Sequence, residues 1–305
     1  MGTYILKRLG SAIFVFLGVS LIVFLCLRIS GDPVELILPL GATQKHIEAA
    51  RHSLGLDRPL YEQYGRLILN TFRLDFGNSI YYRQPVRALI FRRLPRSLIL
   101  SSAAVVLAML IAIPLGLLAG YKRHSLVDNL STGIAISGQS IPSFWLGIML
   151  IIIFAVKIDI LPTGGSRGLQ SLVLPTLTLS AIPLARFTRF LRSGVIDTLS
   201  QDYIRTARAK GVKESRVLLK HTLKNSIRPA FTDMGMTFGR LIGGAIVTET
   251  VFSWPGVGRL LMDGITYRDF PVVEGTAIVI AMIFVFINLI IDISYTFLDP
   301  RVVYK

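Results

Sequence analysis

Apolar residues fall into six long runs along this chain, separated by polar stretches rich in Pro and Gly. The runs are Gly10–Ile29, Ser97–Gly120, Leu130–Val156, Leu169–Ala185, Ala230–Val251 and Gly275–Phe297. A helix rises 1.5 Å per residue and a bilayer core is about 30 Å thick, so runs of this length suit membrane crossings. The pattern therefore predicts an all-α polytopic membrane protein with six transmembrane helices. Residues 32–97 break it. That stretch is mixed and aromatic, carries ten Lys/Arg, and contains no run long enough to span. It reads as a folded external loop with two short amphipathic helices, 42–54 and 58–69, and a turn at Asp75-Phe76-Gly77. Its basic residues do not reverse the orientation, because the positive-inside rule weakens in loops of about 60 residues or more. Lys7 and Arg8 precede the first run, and Arg301 and Lys305 end the chain, so both termini are predicted to be cytoplasmic.

Several runs carry irregularities that suggest function. Pro142 sits in the middle of the third, among Ser137, Gly138, Ser140, Ser143 and Phe144. A proline there frees a backbone carbonyl, which is tolerated where it lines a cavity or packs on a neighbour. The fifth run is the least apolar and contains Asp233, Arg240 and Glu249; the sixth contains Asn288 and Asp292. Intramembrane charge is costly and faces a cavity or a partner. Ser140, Pro142, Arg240, Glu249 and Asp292 are therefore candidate translocation-path or gate residues. The alternatives are helix packing by small residues around Pro142 and an ion pair of Arg240 with Asp292 or Glu249. Gly235, Gly239 and Gly243 recur every four residues, a stripe that permits close helix contact.

The most ordered polar stretch is 202–229, with eight Lys/Arg against two acids. Asp202 opens a short helix-favouring run that breaks at Gly211. A second run places Arg216, Lys220 and Lys224 at four-residue spacing, one face of a helix. Ala207 and Gly211 leave a small-residue notch, and Pro229 closes the segment. A basic loop can be a topology signal alone, or can bind acidic lipid or nucleic acid. The order within this one instead suggests helix, glycine turn, helix, facing a partner.

Composition agrees with a membrane protein: 52% hydrophobic, 17% charged, mean hydropathy +0.61 over 305 residues. Much of the net charge of +15 flanks apolar runs, where it sets orientation. The single Cys26 excludes an intramolecular disulfide and a cysteine metal cluster. The first run reads as a retained helix rather than a cleaved signal. No G-x-x-x-x-G-K-[ST] loop is present, so ATP hydrolysis is not expected on this chain. His46 and His52, six apart, are poorly spaced as metal ligands. Gly164 to Gly168 formally matches G-x-S-x-G around Ser166, but it lies in a short loop without the strand and partners of a hydrolase elbow.

The stretch Tyr203 to Gly211, with His221, Asn225 and Pro229 downstream, resembles the EAA loop of bacterial ABC-importer permeases, closest to the peptide/nickel group. Gly211 matches the family's hallmark glycine. The name-giving acid is absent; Arg205 or Thr206 stands there, as in the peptide/nickel branch. Lys213 stands where a helix-capping Ser or Asp is expected. Leu54-Gly55-Leu56-Asp57-Arg58-Pro59 in the external loop, and Glu249 to Gly258 with Arg268-Asp269-Phe270-Pro271 and Asp299-Pro300-Arg301, resemble the same group.

The resemblance implies the type I importer fold as a single transmembrane permease domain, 1–305, with a coupling loop at 202–229. It implies a multi-pass protein of the bacterial plasma membrane and a non-catalytic subunit with no cofactor of its own. ATP and Mg would belong to two partner ATPase subunits. A homologous second permease, an external substrate-binding protein and lipid complete the assembly, and no nucleic acid is involved. Arg205, Ala207, Arg208, Gly211, Arg216 and His221 would couple to the ATPase, and residues 252–271 would form an outer scoop-like helix. Di- or oligopeptides are the expected cargo, with nickel or a metal–chelator (metallophore) complex as the alternative. An ion-coupled secondary transporter built on Asp233, Arg240, Glu249 and Asp292 is a rival from another class, but it leaves 202–229 unexplained. A membrane enzyme using Ser166 has no other support.

Overall fold

The computed structural model describes residues 2–29 and 43–298. Among these residues the secondary structure is helical, apart from one isolated antiparallel bridge, Asn78–Pro85. The helices are α1 (Gly2–Ile29), α2 (Gln44–Leu54), α3 (Leu60–Phe72), α4 (Val86–Tyr121), α5 (Leu126–Ser140), α6 (Ser143–Leu150) with a π-helical continuation (Ile151–Lys157), α7 (Gln170–Leu199) and α8 (Asp202–Ala209). A short helical turn (Glu214–Arg216) and a π-helical turn (Val217–Thr222) lead into α9 (Leu223–Gly244). Then follow α10 (Ile246–Val251), α11 (Val257–Thr266) and α12 (Phe270–Leu298).

Helix α4 is the axis of the bundle. Its buried side chains meet a different partner at each level. Val86, Leu89 and Ile90 pack on Val257 and Leu260 of α11 and on Val272 of α12. Leu100 and Ala104 meet Leu179 and Trp254, Ala108 and Ala112 meet Phe187, and Leu117 meets Leu191 and Val195. The most extensive helix pairing is α4 with α7. It is close because of Gly116 and Gly120: a β-carbon on Gly120 would lie 2.7 Å from the Val195 side chain, and one on Gly116 2.9 Å from Leu191. This is the small-xxx-small contact of membrane helices. The Gly235/Gly239/Gly243 stripe of α9 likewise lies against Ile291, Ile287 and Ile280 of α12.

By length and apolarity four helices can cross a membrane: α1, α4, α7 and α12. The bent pair α5–α6 makes a fifth if it is one crossing. Several helix boundaries differ from those of the apolar runs. Helix α4 begins at Val86 rather than at 97, and absorbs Pro95. Residues 86–90 place Val86, Leu89 and Ile90 on one buried face, so tertiary packing extends the helix through a polar stretch that hydropathy assigns to the loop. Helix α7 continues past its apolar run to Leu199, as the helical spacing of Arg186, Arg189 and Arg192 predicts, and Arg186 and Arg192 pair with Asp233 and Asp128 on neighbouring helices. The third run is broken by 103° at Ile141-Pro142 rather than merely kinked. Helix α3 lies along the C-terminal half of α1: Tyr64 donates to the Leu17 carbonyl at 2.8 Å, bonds Ser20 at 2.9 Å and packs on Phe24. The mixed stretch is thus tied to the bundle. The motif Asp299-Pro300-Arg301 lies outside the described residues.

Candidate functional site

The 202–222 segment is a helical elbow. Asp202 stands in the first turn of α8, where a carboxylate favours the helix N-terminus. The helix ends in a Schellman closure: Gly211 N–H donates to Arg208 O at 2.9 Å and Val212 N–H to Ala207 O at 3.2 Å. Gly211 has φ +74, the left-handed region that side chains disfavour, yet a β-carbon there would touch nothing within 4 Å. The glycine is therefore required for backbone reasons, and the notch it forms with Ala207 is open. Across the turn Arg208 donates from Nη2 to Glu214 Oε1 at 2.5 Å and from Nε to Oε2 at 3.1 Å. Those hydrogen bonds hold the Glu214 carboxyl below its ordinary value and raise Arg208.

Ile204 and Val217, one on each arm, are both fully buried; the 202–209 helix packs on the π turn, which packs in turn on α7 and α9. Asn225 Nδ2 reaches Tyr203 Oη at 3.0 Å and the His221 carbonyl at 2.9 Å. Lys213 takes the N-cap position of the second arm with no side-chain cap. That arm is not one α-helix: the π turn at 217–222 widens it, so Arg216, Lys220 and Lys224 depart from strict α spacing, although all three are exposed. Arg205 is exposed and pairs loosely with Asp202 at 3.4 Å.

The candidate pathway residues do not form one cluster; each has its own neighbours. Ser140 is exposed at the end of α5 and Pro142 caps α6. Arg240 pairs with neither Glu249 nor Asp292. It donates to Thr237 Oγ1 at 3.1 Å and lies 3.8 Å from Asp233, which also holds Arg186 of α7 at 2.6 Å. Asp292 binds Arg8 of α1 at 2.8 Å.

Glu249, a candidate pathway or gate residue, is fully buried and organises the stretch that follows it. Ser97 of α4 donates to Oε1 at 2.6 Å, and the Arg259 backbone N–H donates to Oε2 at 3.0 Å. Ser97 Oγ in turn accepts Val257 N–H at 2.8 Å, and Trp254 Nε1 donates to the Arg96 carbonyl at 3.1 Å. The carboxylate thus serves the first turn of α11, where orphan amides and the helix dipole favour an anion. Gly256 is obligatory for approach rather than for φ: a β-carbon would collide with the Glu249 carboxylate.

A second network at the same end was not legible from spacing. Asp269 accepts from Ser79 Oγ and from Tyr81 N–H, the latter at 3.0 Å. Asp263 takes Arg93 and Tyr82, each at 3.1 Å. At the opposite end of α4, Arg192 holds the buried Asp128 by two hydrogen bonds, one of them 2.8 Å from Nη2 to Oδ2. The one available sequence signal was acids and cations recurring near run ends, which says where a charge lies but not which charge answers it.

A bundle of membrane-length helices that presents a basic helical elbow at one end defines a polytopic membrane protein. Comparison with known proteins makes the assignment specific. Residues 112–304 match the family described as binding-protein-dependent transport system inner membrane component, and residues 1–101 match its N-terminal companion family. The chain is 43% identical over 306 residues, covering 100% of both chains, to the glutathione transport system permease protein GsiC of Escherichia coli (strain K12), and equally so to that of Shigella flexneri serotype 5b (strain 8401). Among solved structures, the fold resembles the MetNI methionine ABC transporter in inward-facing conformations (TM-score 0.56, 18% identity, 71% of this chain and 97% of that one). It also resembles an amino acid ABC transporter (TM-score 0.52, 15% identity, 70% and 94%). The chain belongs to the binding-protein-dependent inner membrane component family: it is an ABC-importer permease of the peptide group.

Proposed function

We propose that this chain is one of two homologous permease subunits of an ATP-driven importer for short peptides, with glutathione or a glutathione-like tripeptide as the leading cargo. The observation that carries the reading is the end-to-end 43% identity to a glutathione permease, together with the closed glycine elbow at 202–222. In this reading the chain crosses the inner membrane six times, with α9–α10 as a crossing despite its charges and with both termini cytoplasmic. Residues 202–229 dock on a partner ATPase, and residues 32–97 and 252–271 face outward toward a substrate-binding protein. The subunit catalyses nothing, and nucleotide and Mg bind the ATPase pair.

The mechanism follows from the elbow. A helix end closed by two backbone hydrogen bonds and a two-toothed Arg208–Glu214 bridge moves as one body. The π turn at 217–222, which packs on α7 and runs into α9, carries its displacement to the bundle, because packed side chains cannot slide without moving what they pack on. Closure of the ATPase dimer would thus bias a two-state bundle between inward- and outward-open packings. Several of the charges in the membrane helices are answered by others, Asp233 by Arg186 and Arg240, and Asp292 by Arg8. That favours a structural role for them over proton carriage.

The test is uptake of labelled glutathione into proteoliposomes holding the full complex and its binding protein. Uptake that needs ATP and persists when the proton gradient is collapsed supports the reading. Uptake that follows the gradient and ignores ATP, or saturating competition by a metal chelate but not by peptides, overturns it.

A further inference from the structure

At the end of α4 opposite the elbow, a concavity of ≈ 320 Å³ opens between the 73–85 loop, the first turns of α4 and helix α11. Its walls are Tyr81, Tyr82 and Tyr267, with Arg93, Arg259 and Asp263. Since α4 has 36 residues, the two ends are about 54 Å apart at 1.5 Å per residue.

The charges in it are unequal: two guanidinium groups face one carboxylate. Asp263 is committed to Arg93 and the Tyr82 hydroxyl, each at 3.1 Å, and this pair is largely withdrawn from solvent. The Arg259 side chain has no acidic partner among the described ion pairs. Its Nη1 is tethered at 2.6 Å to a neutral group, the Ser253 carbonyl, and its backbone N–H is held by Glu249. The guanidinium is thus fixed at both ends of the residue, with forked donors to spare for a carboxylate. Beside it Tyr81 and Tyr267 stack at 3.9 Å with planes 3° apart and are half exposed, a flat wall with an apolar face and hydroxyl edges.

We propose that this concavity is an outer receiving site for a short peptide with excess carboxylate. Arg259 takes a free carboxylate and the stacked tyrosines take the peptide body. Its volume falls at the lower end of the range of small-molecule sites, roughly 300–1,000 Å³, which suits a tripeptide better than a folded partner. Glutathione, with two carboxylates and one ammonium, matches the one uncompensated positive charge. The site rests on the proposed function for its orientation toward the outside and for the class of cargo.

The test uses the full chain in lipid nanodiscs, saturation-transfer NMR, and two probes: glutathione and its carboxylate diester. Glutathione is expected to bind, and the diester to bind about tenfold or more weakly, the usual scale for losing a charge-assisted contact. Arg259→Ala is expected to weaken glutathione to the same degree and to abolish the difference between the probes; Arg259→Lys restores part of it. Arg259→Ala keeps the backbone N–H that Glu249 holds, and Tyr267→Ala tests the wall without touching a charge. Equal binding of both probes, indifference to Arg259→Ala, or no binding of glutathione at millimolar concentration overturns the site. So does a result in which Arg259→Ala weakens only capture of the loaded binding protein while free peptide never binds, which would make this a protein-docking face. ATP-driven glutathione uptake by the wild-type complex without Arg259-dependent binding sinks this inference alone. Failure of that uptake, whatever the nanodisc result, sinks the proposed function.

Discussion

Gly211 offers the sharpest test of the elbow, because its environment separates backbone cost from steric cost. A side chain at 211 would meet no atom of this chain within 4 Å, so it creates no internal clash. What it does meet is φ +74. Holding an ordinary L-residue in the left-handed region costs roughly 1–2 kcal/mol, less for Asn. Gly211→Ala should therefore loosen the Schellman closure by about that amount, a factor of roughly 5–30 in the local open-to-closed ratio. The readout is amide exchange: the amides of Gly211 and Val212 should lose protection by that factor, while those of α4 and α7 do not change. Gly211→Val should lose more, and Gly211→Asn least. Substrate-stimulated ATP hydrolysis in the assembled complex is then measured for all three. Coupling that falls in the order Asn, Ala, Val, least to most impaired, locates the defect in the backbone. Coupling lost most with Asn, although its exchange resembles wild type, would locate it at the open notch, against a partner surface. Unchanged exchange in Gly211→Ala would refute the conformational argument outright.

Three further outcomes follow. Glu249→Ala strips a fully buried acceptor from Ser97 and from the Arg259 amide; each unsatisfied buried group costs about 1–3 kcal/mol, so the variant should show a clearly lowered unfolding midpoint, with Glu249→Gln intermediate. A wild-type midpoint for Glu249→Ala would mean that water replaces the carboxylate. The Arg208–Glu214 bridge should respond to acid with a definite sign: Glu214 is depressed below its ordinary 4.5, so its contribution is fully present above that value and is lost as pH falls through the lower folded value. Protection of the 207–217 amides, relative to their intrinsic exchange, should hold while Glu214 is ionised and fall as the pH drops through its lowered value in wild type but not in Glu214→Gln, with added salt weakening the difference because both groups are partly exposed. Gly120→Val forces methyl groups into Val195 and the Arg192 carbonyl, so overpacking of roughly 1–3 kcal/mol should lower the detergent-extracted yield and melting point; an unaffected variant would show that α4 and α7 are looser than their spacing indicates.

The sequence by itself determined the class of protein, the elbow and its hinge. Apolar runs, a glycine between two basic helical arms, and the Glu249–Gly258 motif are local patterns, and local patterns survive without a fold. Gly211 was legible because its reason is a backbone angle of its own. The tertiary structure alone decided which charge meets which. Glu249 reads as an intramembrane acid, yet its partners are Ser97, 152 residues earlier, and an amide ten residues on. Arg240 reads as a partner for Asp292 or Glu249, yet Asp233, which it shares with Arg186, fills that place. Helix α4 starts eleven residues before hydropathy allows, because Val86, Leu89 and Ile90 are buried by α11 and α12, which come far later in the chain. Periodicity reports how one helix divides its faces. The rotation and height at which two helices meet are set by the packing of the whole bundle, and a charge or a proline acquires its role only there.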